Sequence, residues 1–156
     1  MTEPFKMLEP IDLNAAAFSL AERIDALVEF LPWFEAEGAS AGKWTPMQER
    51  DGCFTLPMFN FSPEMEALEQ TLYRYGWVAK FAWPDWQDEA ARLLGSPEAL
   101  RTADVETLQK LLTTHVRKER FCEGHLVAMF ECGHIAAILR RLKELGQANA
   151  EQTPVR

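Results

Sequence analysis

The chain has 156 residues, 47% of them hydrophobic and 26% charged, and carries a net charge of −8. That length suits one domain with its own core, needing neither a disulfide nor a metal to fold. The acidic balance argues against a nucleic-acid partner. An odd set of three cysteines without a CxxC pair argues against a disulfide framework and for a reducing, cytoplasmic location. The first residues carry Glu3, Glu9 and Asp12 and no apolar h-region, so no signal peptide is expected. No apolar run approaches the length of a membrane span, so no membrane partner is expected.

Apolar residues at Leu20, Ile24, Leu27, Val28 and Leu31 follow helical spacing and predict a first helix from Ala15 to Leu31. Pro32 removes a backbone donor, so the helix should kink or stop there. Residues 38–62 hold Gly38, Gly42, Pro46, Gly52 and Pro57 and predict mostly loop. Cys53 to Phe61 alternates loosely and permits a short strand, which Pro57 confines to an edge. Trp77 to Phe81 is the expected partner of Phe54 to Phe59.

Ser62-Pro63 opens a second helix to about Tyr75, ended by Gly76. A short helix follows from Pro84 or Asp85 to Leu94, and Ser96-Pro97 starts another turn. The strongest pattern runs from Thr102 to Arg120, with Val105, Leu108, Leu111, Leu112 and Val116 on one stripe. Its first turn is acidic and its last basic, matching the helix dipole. Further helices are expected over Cys122–Cys132 and His134–Leu145. The expected fold is mainly α: a compact bundle of five to seven helices with at most one short two-stranded β element. Residues 1–146 read as a single helical domain, with 147–156 a frayed C-terminal tail.

The richest chemistry lies between Thr114 and His134, which holds every histidine and two of the cysteines. His115 and Glu119 are four apart and share a helix face. Two readings stand side by side. One is an acid–base or ligand site built from His115, Arg117, Glu119, Arg120, Glu123 and His125. The other is structural: a His115–Glu119 contact, an Arg120–Glu123 pair across the turn, and two small core cysteines. A metal needs three or four converging ligands, and the helical pair supplies two, so neither metal nor cofactor is expected. Aromatics cluster between Phe54 and Trp86. Trp77, Trp83 and Trp86 could line a pocket for a flat ligand, pin a loop onto the helices, or face a partner. No GxSxG, glycine-rich phosphate loop or HExxH is present.

The segments W-P-D-W-Q-D-E-A at 83–90, L-L-T-T-H-V-R-K-E-R-F-C-E-G at 111–124 and E-C-G-H-I-A-A-I-L-R-R-L at 131–142 resemble a bacterial and archaeal family of uncharacterised proteins. The R-F-x-E-G at 120–124 and G-x-I-x-x-I-L-x-R-L at 133–142 carry most of the likeness. The family is a domain of unknown function, so the resemblance implies a shared fold and transfers no activity. The absence of a recognisable catalytic set and the abundance of aromatics point to a non-enzymatic interaction or regulatory protein, working as a homodimer with room for a further protein partner. The alternative is a small-ligand binder or enzyme using the cluster near 115–125.

Overall fold

The computed structural model describes residues 17–152. Ser19 opens helix α1 (Leu20–Val28): its hydroxyl accepts the Glu22 N–H, and the Glu22 carboxylate accepts the Ser19 N–H. The expected start at Ala15 lies outside the described residues. Pro32 sits in the first turn of a separate short helix, α2 (Leu31–Glu35), so the proline breaks the helix instead of bending it.

Residues 42–61 form an antiparallel hairpin, not mostly loop. Strand β1 (Gly42–Thr45) pairs with β4 (Met58–Phe61), and β2 (Gln48–Arg50) pairs with β3 (Cys53–Thr55). Both halves keep one register, so Pro46 faces Pro57 and Met47 faces Leu56. Neither proline has an N–H to give, and the ladder lapses where they meet. Asp51 (φ 52) and Gly52 (φ 79) turn the tip with two consecutive positive φ values, the turn that matches strand twist. The expected pairing with Trp77–Phe81 does not form.

Alternation along this register sorts the side chains onto two faces. Trp44, Phe59 and Phe61 share the inner face, with Trp44 and Phe61 each edge-on to Phe59. Phe59 and Phe61 pack against the helical core. Met47, Phe54, Leu56 and Met58 share the outer face, with relative exposures of 58%, 63%, 76% and 49%.

Ser62 then caps helix α3 (Pro63–Arg74) through the Met65 N–H. A 3-10 turn (Trp83–Trp86) leads into α4 (Gln87–Gly95), and Ser96 caps α5 (Pro97–Arg101). Asp104 accepts the Thr107 N–H at 2.8 Å and starts α6 (Val105–Glu119). Helices α7 (His125–Glu131) and α8 (His134–Gln152) follow. Helix α6 is the centre: Leu108, Leu111, Leu112, Thr113, Thr114, His115 and Val116 are all buried. Helix α8 packs along α1 and closes the core with Ile135, Ile138, Leu139 and Leu142.

The last helix does not end at Leu145 and Gly146. It runs on to Gln152, taking up the first part of the expected tail. A Cβ at Gly146 would sit 3.1 Å from Ile24 Cγ2, so this glycine lets α8 approach α1 closely and is not a stop signal.

Trp77 is fully buried, and polar side chains fix the irregular segment around it. Its indole N–H donates to the Arg23 carbonyl, while the Arg23 guanidinium lies over its ring and donates to the carbonyls of Tyr75 and Gly76. Gln109 also donates to the Gly76 carbonyl. The Thr113 hydroxyl accepts the Ala79 N–H at 2.9 Å and shares its one proton between the carbonyls of Trp77 and Gln109. Thus 77–79 satisfies its backbone against a helix instead of a strand. Replacing Thr113→Val keeps the shape and removes the acceptor. It should lower the unfolding free energy by about 1–3 kcal/mol in a denaturant titration. An unchanged midpoint and slope would show that the hydroxyl does not hold this segment.

Candidate functional site

The cluster predicted near 115–125 is divided by a sharp turn between α6 and α7. Helix α7 has no side-chain cap of its own; its cap position is Gly124 at φ 97, a left-handed conformation suited to glycine. Glu119, the last residue of α6, supplies the missing acceptor. One carboxylate oxygen takes the Gly124 N–H at 3.0 Å and the other the Leu126 N–H at 2.8 Å. The expected His115–Glu119 contact does not form, because the carboxylate is committed to backbone.

The same turn anchors the hairpin. Glu123 accepts the Phe59 N–H at 3.1 Å, so the expected Arg120–Glu123 pair is absent. A Cβ on Gly124 would lie 3.2 Å from the Trp44 ring, so the hairpin's tryptophan packs over the bare glycine. Two residues of the R-F-x-E-G segment therefore fasten the β arm to the helical body.

The turn also brings His125 under His115. His115 Nδ1 and His125 Nε2 are 2.9 Å apart, a hydrogen bond with one shared proton. His134, from the start of α8, stands edge-on to His115 with ring centroids 5.0 Å apart. His115 and His134 are buried, and the Nε2 atom of each lacks a hydrogen-bond partner. With its proton on Nδ1, His115 presents only a bare lone pair at Nε2, a smaller penalty than a buried N–H.

Burial holds all three imidazoles neutral. It pushes His115 down to about 2, aided by His134, His125 and Lys118, and His134 down to about 4, aided by His125. His125 is lowered by burial and by Lys118. A small hollow of about 80 Å³ between α4 and α6 reaches His115, His125, Thr114 and Lys118. Among the described residues, no three His, Cys, Asp or Glu side chains converge as a metal-ligating group.

Arg117 and Arg120 turn the other way. Together with Lys80, Phe81, Trp83 and Phe121 they line an open hollow of about 380 Å³. Trp83 and Phe121 are ring neighbours at 5.8 Å. Of the three tryptophans expected to line a pocket, only Trp83 does so here. Trp77 belongs to the core, and Trp86 packs against the core, edge-on to Phe81. Cys122 and Cys132 are exposed free thiols, not core residues.

Sequence reasoning gave Trp44, Phe59, Lys80 and Phe81 no place in a site and noted Phe121 only within the R-F-x-E-G segment. The Asp51-Gly52 dipeptide could have revealed the hairpin, and with it the face of Trp44 and Phe59. Nothing in the spacing joins Lys80 to Arg117.

A family model described as a family of unknown function (DUF6508) matches residues 19–148. The chain belongs to that family. No curated protein and no solved structure matches it. The family match spans the arm, the turn at 119–126 and all three histidines, so these belong to the family's domain.

Two measurements test this geometry. Glu119→Ala leaves two backbone donors without their acceptor and should cost about 1.5–3 kcal/mol of stability at neutral pH. The histidines set an acid limit. Unfolded imidazoles bind protons near 6.5, whereas folded His134 and His115 resist to about 4 and about 2. Below 6.5 the unfolded state holds more protons, so stability falls as pH falls, by about 1.4 kcal/mol per pH unit for each excluded proton. Glu69, raised by burial and by Glu119, acts in the opposite sense as it protonates. Chemical denaturation between pH 7 and about pH 4.5 should show the decline, and His134→Phe should flatten it. A wild-type chain equally stable at both ends would contradict the buried neutral cluster.

Proposed function

We propose that the chain is a non-enzymatic interaction protein that works as a homodimer joined through the outer face of its β arm. One observation carries this reading: most of the large apolar side chains exposed among the described residues lie on the arm, with Met47, Phe54, Leu56 and Met58 on one face. Exposed apolar surface gathered on a projecting element marks an association site. Elsewhere among the described residues the exposed large apolar groups are single, at Leu94 and Phe121.

Charge favours a second copy as the occupant. The whole chain carries −8 and repels itself. The arm between residues 42 and 61 is neutral, since Lys43 and Arg50 balance Glu49 and Asp51. Two arms can therefore meet face to face without bringing net charge together. A two-fold arrangement would cover the same stripe on both copies. It would also support a ribbon that, as two strands alone, is only marginally stable in water.

Enzymatic use of the predicted cluster has less support. Glu119 and Glu123 are engaged by backbone N–H groups, and His115 is buried and hydrogen-bonded to His125. The test is sedimentation equilibrium on wild-type chain and on Phe54→Glu and Leu56→Glu. Each substitution acts twice in a two-fold dimer, and each buried apolar side chain contributes about 1.5–3 kcal/mol. The dissociation constant should rise by roughly a hundredfold or more. A wild-type monomer at high micromolar concentration, or a dimer indifferent to both variants, overturns the proposal.

A further inference from the structure

We propose that the hollow between the 79–83 segment and the end of α6 binds a nucleoside monophosphate: a flat heteroaromatic ring carrying a phosphate. The site is independent of the arm and of the dimer reading. Its volume of about 380 Å³ is at the small end of ligand pockets, room for one ring and one phosphate.

The walls supply both kinds of contact. Arg117 and Arg120 stand three residues apart at the end of α6, on one side of the helix, and Lys80 approaches from the facing segment. Among the described residues, no carboxylate lines the hollow. In a chain of net charge −8, the hollow gathers three cations beside two aromatic rings. Among the described residues, no hydrogen bond or ion pair engages the Arg117 side chain. Arg120 lies near enough to Glu69 to stabilise its charge, so Arg117 is the more available fork for a phosphate.

The carbonyls that end α6 do not oppose an anion as bare groups. Those of Arg117 and Lys118 accept the N–H groups of Arg120, Phe121 and Cys122. The aromatic wall is held in place by backbone. The Trp83 N–H donates to the Phe81 carbonyl at 2.8 Å, and Pro84 stiffens the 3-10 turn that follows. Trp83 and Phe121 lie 5.8 Å apart and tilted by 36°, too close to admit a ring between them. A base would instead stack on an outer face of this pair. Phe121, 77% exposed, leaves such a face open. Stacking tolerates any base, so the ring class is specified and the base is not.

Isothermal titration of the full chain with adenosine 5′-monophosphate, adenosine and inorganic phosphate tests the pairing of contacts. The monophosphate should bind saturably, with adenosine and phosphate each weaker by about tenfold or more, since each lacks one half of the site. Arg117→Gln and Phe121→Ala should each weaken the monophosphate by roughly tenfold to a hundredfold. Phe121 is exposed, and half-buried Arg117 makes no side-chain hydrogen bond among the described residues, so melting temperatures should stay near the wild-type value. Four results would overturn the proposal: no saturation at millimolar monophosphate, phosphate alone binding as tightly, variants that leave the affinity unchanged, or variants that weaken it only by unfolding the chain. A single-stranded oligoadenylate separates one more case. Affinity that climbs with strand length and collapses with salt would identify a nucleic-acid strand as the ligand and reject the mononucleotide.

Discussion

The Glu119 carboxylate sets the geometry on which both halves of the molecule depend. It ends one helix and serves as the cap of the next, taking the N–H groups of Gly124 and Leu126 on its two oxygens. A helix start without a cap leaves donors exposed, and α7 has no side chain at its cap position to meet them. Because α6 and α7 are tied at this point, His125 falls within hydrogen-bond reach of His115. For the same reason Glu123 is turned toward Phe59, and Gly124 offers a bare surface to Trp44. Arg117, on α6, and Arg120, just past its end, are left on the opposite side. One carboxylate thus decides which polar residues become structure and which remain available to a ligand.

The buried histidines follow from the same turn. Three imidazoles packed ring against ring cannot all take on a second proton and become cations, and burial favours the neutral form of each. As neutral rings they fill space like aromatic residues and share a single hydrogen bond. The unpartnered nitrogens of His115 and His134 are the residual cost of that choice. A purely apolar trio would avoid it. What the histidines add is directionality, since a hydrogen bond between α6 and α7 selects one rotation of the two helices where methyl groups would accept several.

The helical part was readable because its signals are local. Ser62-Pro63, Ser96-Pro97 and the 3.6-residue stripe of α6 each report on residues within one turn. Gly146 misled because its role is a contact with Ile24, far away in sequence, while its local signature is that of a stop. The hairpin was hidden by its prolines, which in isolation argue against a strand. Placed opposite one another, Pro46 and Pro57 interrupt the same point of the ladder and disturb little else. At the candidate site, residue types and position were legible but pairings were not. Periodicity puts His115 beside Glu119, yet once α6 ends, tertiary contacts compete, and two backbone donors outweigh one imidazole as partners for a carboxylate.

Charge gives the two proposed surfaces a common logic. An acidic chain is kept apart from its own copies and from other anions by long-range repulsion. Association or anion binding then requires a place where that field is locally cancelled or reversed. The arm cancels it, with Lys43 and Arg50 set against Glu49 and Asp51 beside an apolar stripe. The hollow opposes it, gathering Lys80, Arg117 and Arg120 beside Trp83 and Phe121. Both places border the turn from Glu119 to Gly124: Glu123 and Gly124 hold the arm on one side, and Arg120 and Phe121 enter the hollow on the other. Neighbouring residues of a single turn therefore belong to two surfaces of different character, one neutral and apolar, the other cationic. Only a turn whose backbone is pinned, as this one is by Glu119, can keep those side chains pointing apart.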